Sequence, residues 1–312
     1  MGRRRQKFFK GDIQHVYHRT IHRVIIFYSS FDLLVYLTLF SVKAKWFGVM
    51  VLGVHPMPDH LHSVVVPDNP RQLASFEISV ISTFTRLFNA EIGRKGPLFE
   101  KRFGRSVKHG DKKKRTCLAY NYNNAVEKKL VPRCEDFRWN LLSYARTPNP
   151  YSEKIVRSKA SARLLLALDE VTRHHADGEY LGYGILKRLF AGLSQKERNQ
   201  LTDHILYTYS PIDYPALIAF YGSYRNMIGN FNSNTGDEYE IREDYSVEPD
   251  TAYSEISRAL FKEGICHVKE VIVYPDEQKR ALFERLRHTT RASARQIRKY
   301  LHYFEEKEDP FL

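Results

Sequence analysis

An α+β fold with a mostly antiparallel sheet is predicted for the first half of this 312-residue chain, followed by a mainly α-helical extension. Three observations predict it. Before residue 130, segments with strand and helix patterns alternate in the order strand, helix, strand, strand, helix, strand, helix. The composition, 43% apolar and 13% aromatic, belongs to a folded chain and excludes a disordered one. After residue 150 the β-branched runs give way to helical spacing.

The elements follow in order. IQHVYHRTIHRVIIFY (13–28) is β-branched and aromatic with partial alternation, a strand. SSFDLLVYLTLFSVKAK (29–45) opens on a serine N-cap candidate and continues with helical spacing. WFGVMVLGV (46–54) and HLHSVVV (60–66) are the two strands of a hairpin, joined by a proline-rich bend expected to hold His55 in a structural role. Residues 71–92 keep apolar side chains at 73, 76, 80, 81, 84, 87 and 88, a helical stripe. GPLFEKRFGRSVKHG, basic and aromatic, supplies the fourth strand, and a helix runs from about 111 to 129. Beyond 150, residues 153–192 read as helical and 237–263 are acidic, 9 Asp+Glu against 3 Lys+Arg; the chain closes on two helices around a Thr-rich turn. The expected division is 1–150, 151–275 and 276–312, the last a candidate helix-turn-helix.

Charge narrows the partners. Residues 1–150 hold 26 Lys+Arg against 11 Asp+Glu, and the remainder 23 against 25, so the net +13 belongs to the first half. That field draws polyanions, nucleic acid above all. The apolar run at 24–40 is broken by Ser29, Ser30 and Asp32 and falls short of the roughly 20 apolar residues of a membrane span. No signal-peptide pattern precedes it, so no membrane partner is expected. Cys117, Cys134 and Cys266 are odd in number and widely spaced, which indicates neither a disulfide framework nor a thiolate zinc site and makes a reducing, cytoplasmic location the expectation.

Two constellations carry chemistry. In HPMPDHLHSVVVP (55–67) the strand pleat projects His60 and His62 to one side, where two imidazoles can share a cation; equally, they can be hydrogen-bonded core histidines. In LAYNYNNAVEKKLV (118–131), helical geometry puts Leu118, Tyr122, Ala125 and Val126 on one apolar stripe. Tyr120 and Asn124 fall opposite, one turn apart on a lysine-flanked face, either as a presented nucleophile with an amide beside it or as an ordinary solvated face.

Together the segments resemble the REP-associated tyrosine transposases, insertion-sequence-200-like members of the single-tyrosine HUH endonuclease superfamily. MPDHLHSVVV is similar to that family's MPNHxHLLL, YNYNNAVEKKLV to YIxxNPVxxGLV, GPLFEKRFGRSV to GxLFQxRF, EDFRWNLLSY to DYxWSSY, and HVYHRTIHRVIIF to the first strand. Five segments in family order cover about 15–145. Asp59 stands where the family has Asn, Ala125 where it has Pro, and Glu100 where it has Gln. The resemblance implies a ferredoxin-like antiparallel sheet flanked by helices, with His60, His62 and Asn124 holding Mg²⁺ or Mn²⁺ and Tyr120 as nucleophile on single-stranded or hairpin DNA. It also implies a nucleoid-associated monomer or homodimer. A DNA-binding regulator that keeps the fold without catalysis is the alternative, and a metallohydrolase unrelated to nucleic acid leaves the basic first half unexplained.

Candidate phosphate contacts are the arm Arg3, Arg4 and Arg5, the cluster Lys112, Lys113, Lys114 and Arg115, and Arg19, Arg102 and Arg105 beside aromatic residues that can stack bases. The terminal helix pair, 8 Lys+Arg against 3 Asp+Glu over 276–303, reads either as a reader of duplex DNA with Arg295, Arg298 and Lys299 exposed, or as a packing module.

Overall fold

The computed structural model describes residues 8–233 and 250–304; the arm Arg3, Arg4 and Arg5 lies outside them. Strands β1 (Ile13–Arg19), β2 (Met50–Met57), β3 (His60–Val66) and β4 (Gly104–Lys108) form one sheet in the order β2-β3-β1-β4. Every pairing within it is antiparallel. Helices α1 (Ser30–Phe47) and α2 (Pro70–Ile92) connect β1 to β2 and β3 to β4, and α3 (Asp111–Glu127) follows β4, the expected order of elements.

Boundaries differ where backbone partners dictate. β1 stops at Arg19 because the chain turns there: Ile21–Arg23 form a short 3-10 turn in which His22 and Arg23 take left-handed backbone angles. Past the turn, Ile25 N–H bonds Lys299 O and Ile26 N–H bonds Pro58 O, so this extended segment has no sheet neighbour to pair with. β2 continues through His55 and Pro56, which makes His55 a strand residue opposite His62 and not part of the bend. The α1 N-terminus is capped by Asp32, whose carboxylate accepts from the Tyr28 and Ser29 N–H groups, 2.9 Å each. Gly48, at φ 64°, ends the helix in the left-handed conformation that a side chain disfavours.

One hydrophobic core runs from Ile13 to Phe231, takes in Ile272 as well, and spans both sides of residue 150. Helices α4 (Ala162–Ala176), α5 (Tyr183–Phe190), α6 (Gln195–Thr208), α7 (Tyr214–Ala219) and α8 (Tyr224–Asn232) belong to it. A second core gathers Ile25 with α9 (Thr251–Lys262), α10 (Asp276–Thr289) and α11 (Ala294–Leu301). α9 thus packs with the last two helices, although it falls within residues 151–275. Tyr28 Oη donates to Tyr300 O at 2.5 Å, and the buried Lys269–Asp32 pair (2.6 Å) ties the second core to α1. Among the described residues no helix is long and apolar enough to cross a membrane.

Candidate functional site

The pleat gives the sheet two polar faces. Toward α2, His18 bonds Glu77 at 2.8 Å and Ser63 Oγ donates to the same carboxylate at 3.2 Å. Toward α3 lie His15, Tyr17 and Arg19 of β1 with His60 and His62 of β3, in register so that Tyr17 faces His62 and Arg19 faces His60. The His60 and His62 rings are 4.8 Å apart. Tyr17 lies across Gly104 of β4, where a Cβ would sit 1.8 Å from the ring, so position 104 admits no side chain while that ring stays.

Neighbours fix the imidazoles. His60 Nδ1 meets the Asp59 carboxylate at 2.6 Å, which places the proton on Nδ1 and turns the Nε2 lone pair away from it; that Nε2 is buried without a hydrogen-bond partner. His62 Nδ1 lies 2.9 Å from His15 Nε2. Burial first, then the charge of His60 and His55, holds the His62 ring well below the usual histidine pKa, in the neutral form that binds metals. Burial raises the Asp59 carboxyl, but the hydrogen bond and charge of His60, then Lys299 at 2.8 Å, outweigh it and leave the group ionised.

α3 crosses this face. Tyr122 belongs to the core as expected: its Oη donates to Leu52 O at 2.9 Å and its ring stacks 4.7 Å from Phe231. Tyr120 does not have the expected exposure. It is 0% exposed, edge-on to His15 with ring centroids 6.4 Å apart. The face read as solvated is covered by the sheet, and α8 closes the other side. Asn124, one turn beyond Tyr120, is 1% exposed and both ends of its amide are without a hydrogen-bond partner. Lys128, a further turn on, lines a cavity with His60 and His62. Tyr120 and Asn124 follow one side of the helix, with Lys128 at its C-cap one turn further on.

A buried amide with neither end bonded forfeits about 1–3 kcal/mol, and an orphaned imidazole nitrogen adds to that. The unmet His60 Nε2 and the Asn124 amide oxygen are atoms of the kind that a divalent cation binds. Among the described residues no group of three His, Cys, Asp or Glu is placed to hold a metal, so the donor set depends on the amide.

The cavity also takes Arg19 and Arg23 from β1 and its turn, and Arg295 from α11, with Asp250 at the start of α9. Burial, and then the charge of Asp59, pushes the Asp250 carboxyl up to about 6. The other expected contacts scatter. Arg102 is exposed in the loop before β4, and Arg105 is half-buried beside Phe8. Lys112, Lys113 and Arg115 are exposed on the first turns of α3, while Lys114 pairs with Asp12 at 3.8 Å. Arg298 is half-buried over Phe283, and Lys299 is buried against Asp59, so two of the three residues expected to be exposed on α11 face inward. Sequence reading did not find Arg23, Lys128 or Asp250, since no local pattern brings residues 105–227 positions apart to one cavity.

No family model matches the chain, and no curated protein matches it. Among solved structures, it is similar to a REP-associated tyrosine transposase bound to a REP hairpin, 14% identical over 52% of this chain and 96% of that one, with a TM-score of 0.38. A likeness that weak carries no argument about chemistry.

Proposed function

We propose that the chain is a metal-dependent single-stranded DNA endonuclease and strand transferase, a transposase-type enzyme that cleaves and rejoins hairpin or palindromic-repeat DNA through Tyr120. The observations that carry the reading are the buried, unsatisfied His60 Nε2 beside His62 and the buried, unsatisfied Asn124 amide one turn from Tyr120. The strand order β2-β3-β1-β4 with α1 and α2 as crossovers supports the ferredoxin-like arrangement that the motif resemblance implies.

Mg²⁺ or Mn²⁺ held by His60, His62 and Asn124 would neutralise charge developing at a scissile phosphate. Asp59 and His15 orient the two imidazoles through their Nδ1 atoms. Tyr120 Oη forms the new bond to phosphorus as the bond from phosphorus to the 3′ oxygen breaks; the phenol loses its proton and the leaving 3′-OH gains one. The 5′-phosphotyrosine retains the phosphodiester energy, so attack by a 3′-OH rejoins strands without ATP. Because Tyr120 is fully buried, the His15 side of α3 must open before a phosphate reaches the phenol.

That burial favours a second reading, a DNA-binding regulator that keeps the fold without cutting. Labelled single-stranded hairpin DNA with Mn²⁺ separates the two: a covalent adduct on a denaturing gel, lost in Tyr120→Phe and with EDTA, supports the transferase. Binding without any adduct supports the regulator, and an adduct that persists in Tyr120→Phe removes the assignment of the nucleophile.

A further inference from the structure

We infer that the cavity over His60 is a binding site for a nucleic-acid phosphodiester clamped by Arg19, Arg23 and Arg295, so that helix α11 is a wall of this site and not a separate reader of duplex DNA. The inference rests on the nucleic-acid part of the reading above and is independent of any chemistry at Tyr120.

Three guanidiniums converge on one cavity from parts of the chain some 270 residues apart, and among the described residues none of them has a carboxylate partner. Elsewhere, arginines and lysines of this chain do find acids: Arg138 pairs with Asp203, and Lys299 of the same cavity with Asp59. Collecting unpaired cations costs mutual repulsion, which a bound phosphate would remove, and the fork of guanidinium N–H donors matches phosphate oxygens. Arg23 is held at φ 58°, a left-handed angle that costs a non-glycine residue and that here turns the chain beside the cavity.

α11 cannot read a duplex groove in this arrangement. Lys299 is turned to Asp59, Arg298 lies over Phe283, and Tyr300 and Leu301 are buried in the second core, leaving Arg295 as the exposed arginine, directed at the cavity. Asp250 is the opposing group. Its carboxylate lines the same cavity and disfavours an anion, so neutralising it should strengthen binding.

The test is binding of a short fluorescein-labelled oligothymidylate by the full chain in EDTA, followed by anisotropy, with inorganic phosphate at matched ionic strength as competitor. Arg295→Gln and Arg23→Gln should each weaken binding about tenfold, the size of one charge-assisted contact, and each should lower the salt slope by about one. Arg280→Gln, exposed on α10 and away from the cavity, should leave affinity within about twofold, and Asp250→Asn should tighten it about threefold. Equal losses in Arg280→Gln and Arg295→Gln would reduce the effect to general charge and overturn the site, as would no gain in Asp250→Asn. Inorganic phosphate that displaces the oligonucleotide no better than chloride would assign binding to the bases and overturn it too. Since metal and covalent chemistry are absent from this assay, a failed adduct experiment leaves its outcome untouched.

Discussion

The two faces of one sheet handle buried polar groups in opposite ways. On the α2 side, His18, Ser63 and Glu77 satisfy one another within 3.2 Å. On the α3 side, His60 and Asn124, equally buried and contributed by a neighbouring strand and helix, leave polar atoms unmet. Burial alone therefore does not distinguish the two faces; the completeness of hydrogen bonding does.

Substitution on each face should break or sharpen that contrast, in the stability measured by urea unfolding. The largest effect is expected for Glu77→Ala, which strands His18 and Ser63 in the interior and should cost about 3 kcal/mol. Lys299→Met removes a buried partner of Asp59 but leaves His60 beside it, and about 2 kcal/mol is the expected loss. Asn124→Leu should reverse the sign and gain about 1 kcal/mol, since it removes an amide that bonds nothing, while abolishing adduct formation. A loss of stability in Asn124→Leu comparable to that in Glu77→Ala would erase the distinction between the faces. The exposed pair Lys10–Asp68 (3.7 Å) sets the floor: Lys10→Ala should change stability by less than about 0.5 kcal/mol.

Acid adds a further test. Burial, then the charge of His15, lowers the His55 ring to about 3, and burial likewise brings His302 to about 3 despite its bond to Ile25 O. Above pH 6.5 these rings are neutral in both folded and unfolded chains and contribute no pH dependence. Below it the unfolded chain takes up protons that the folded rings refuse down to about pH 3, so stability should fall as pH drops through that window. His55→Phe should flatten the fall between pH 6 and pH 4; an unchanged slope would mean that His55 is not held neutral.

Much of the frame was legible because it is written in local patterns: the N-cap Ser29, the stripe from Leu73 to Phe88 and the alternation through His60 and His62 all correspond to observed elements. Tyr120 lies on the helix expected for it, one turn from Asn124, but its burial was not legible, because what covers a helix face is decided by packing partners such as His15 of β1 and helix α8, far away in sequence. The site wall escaped for the same reason. Arg295 and Asp250 reach the cavity only once the second core has docked on Ile25 and Tyr28, and no periodicity in either segment reports that docking.

Asp59 has a consequence for how such chains can vary. A carboxylate beside His60 is matched by an ammonium 240 residues later, at Lys299, in a unit with its own core. Positions 59 and 299 are thus coupled across the two cores: an engineered truncation after Phe231 should succeed only with Asp59→Asn and with Ile25 and Tyr28 made polar.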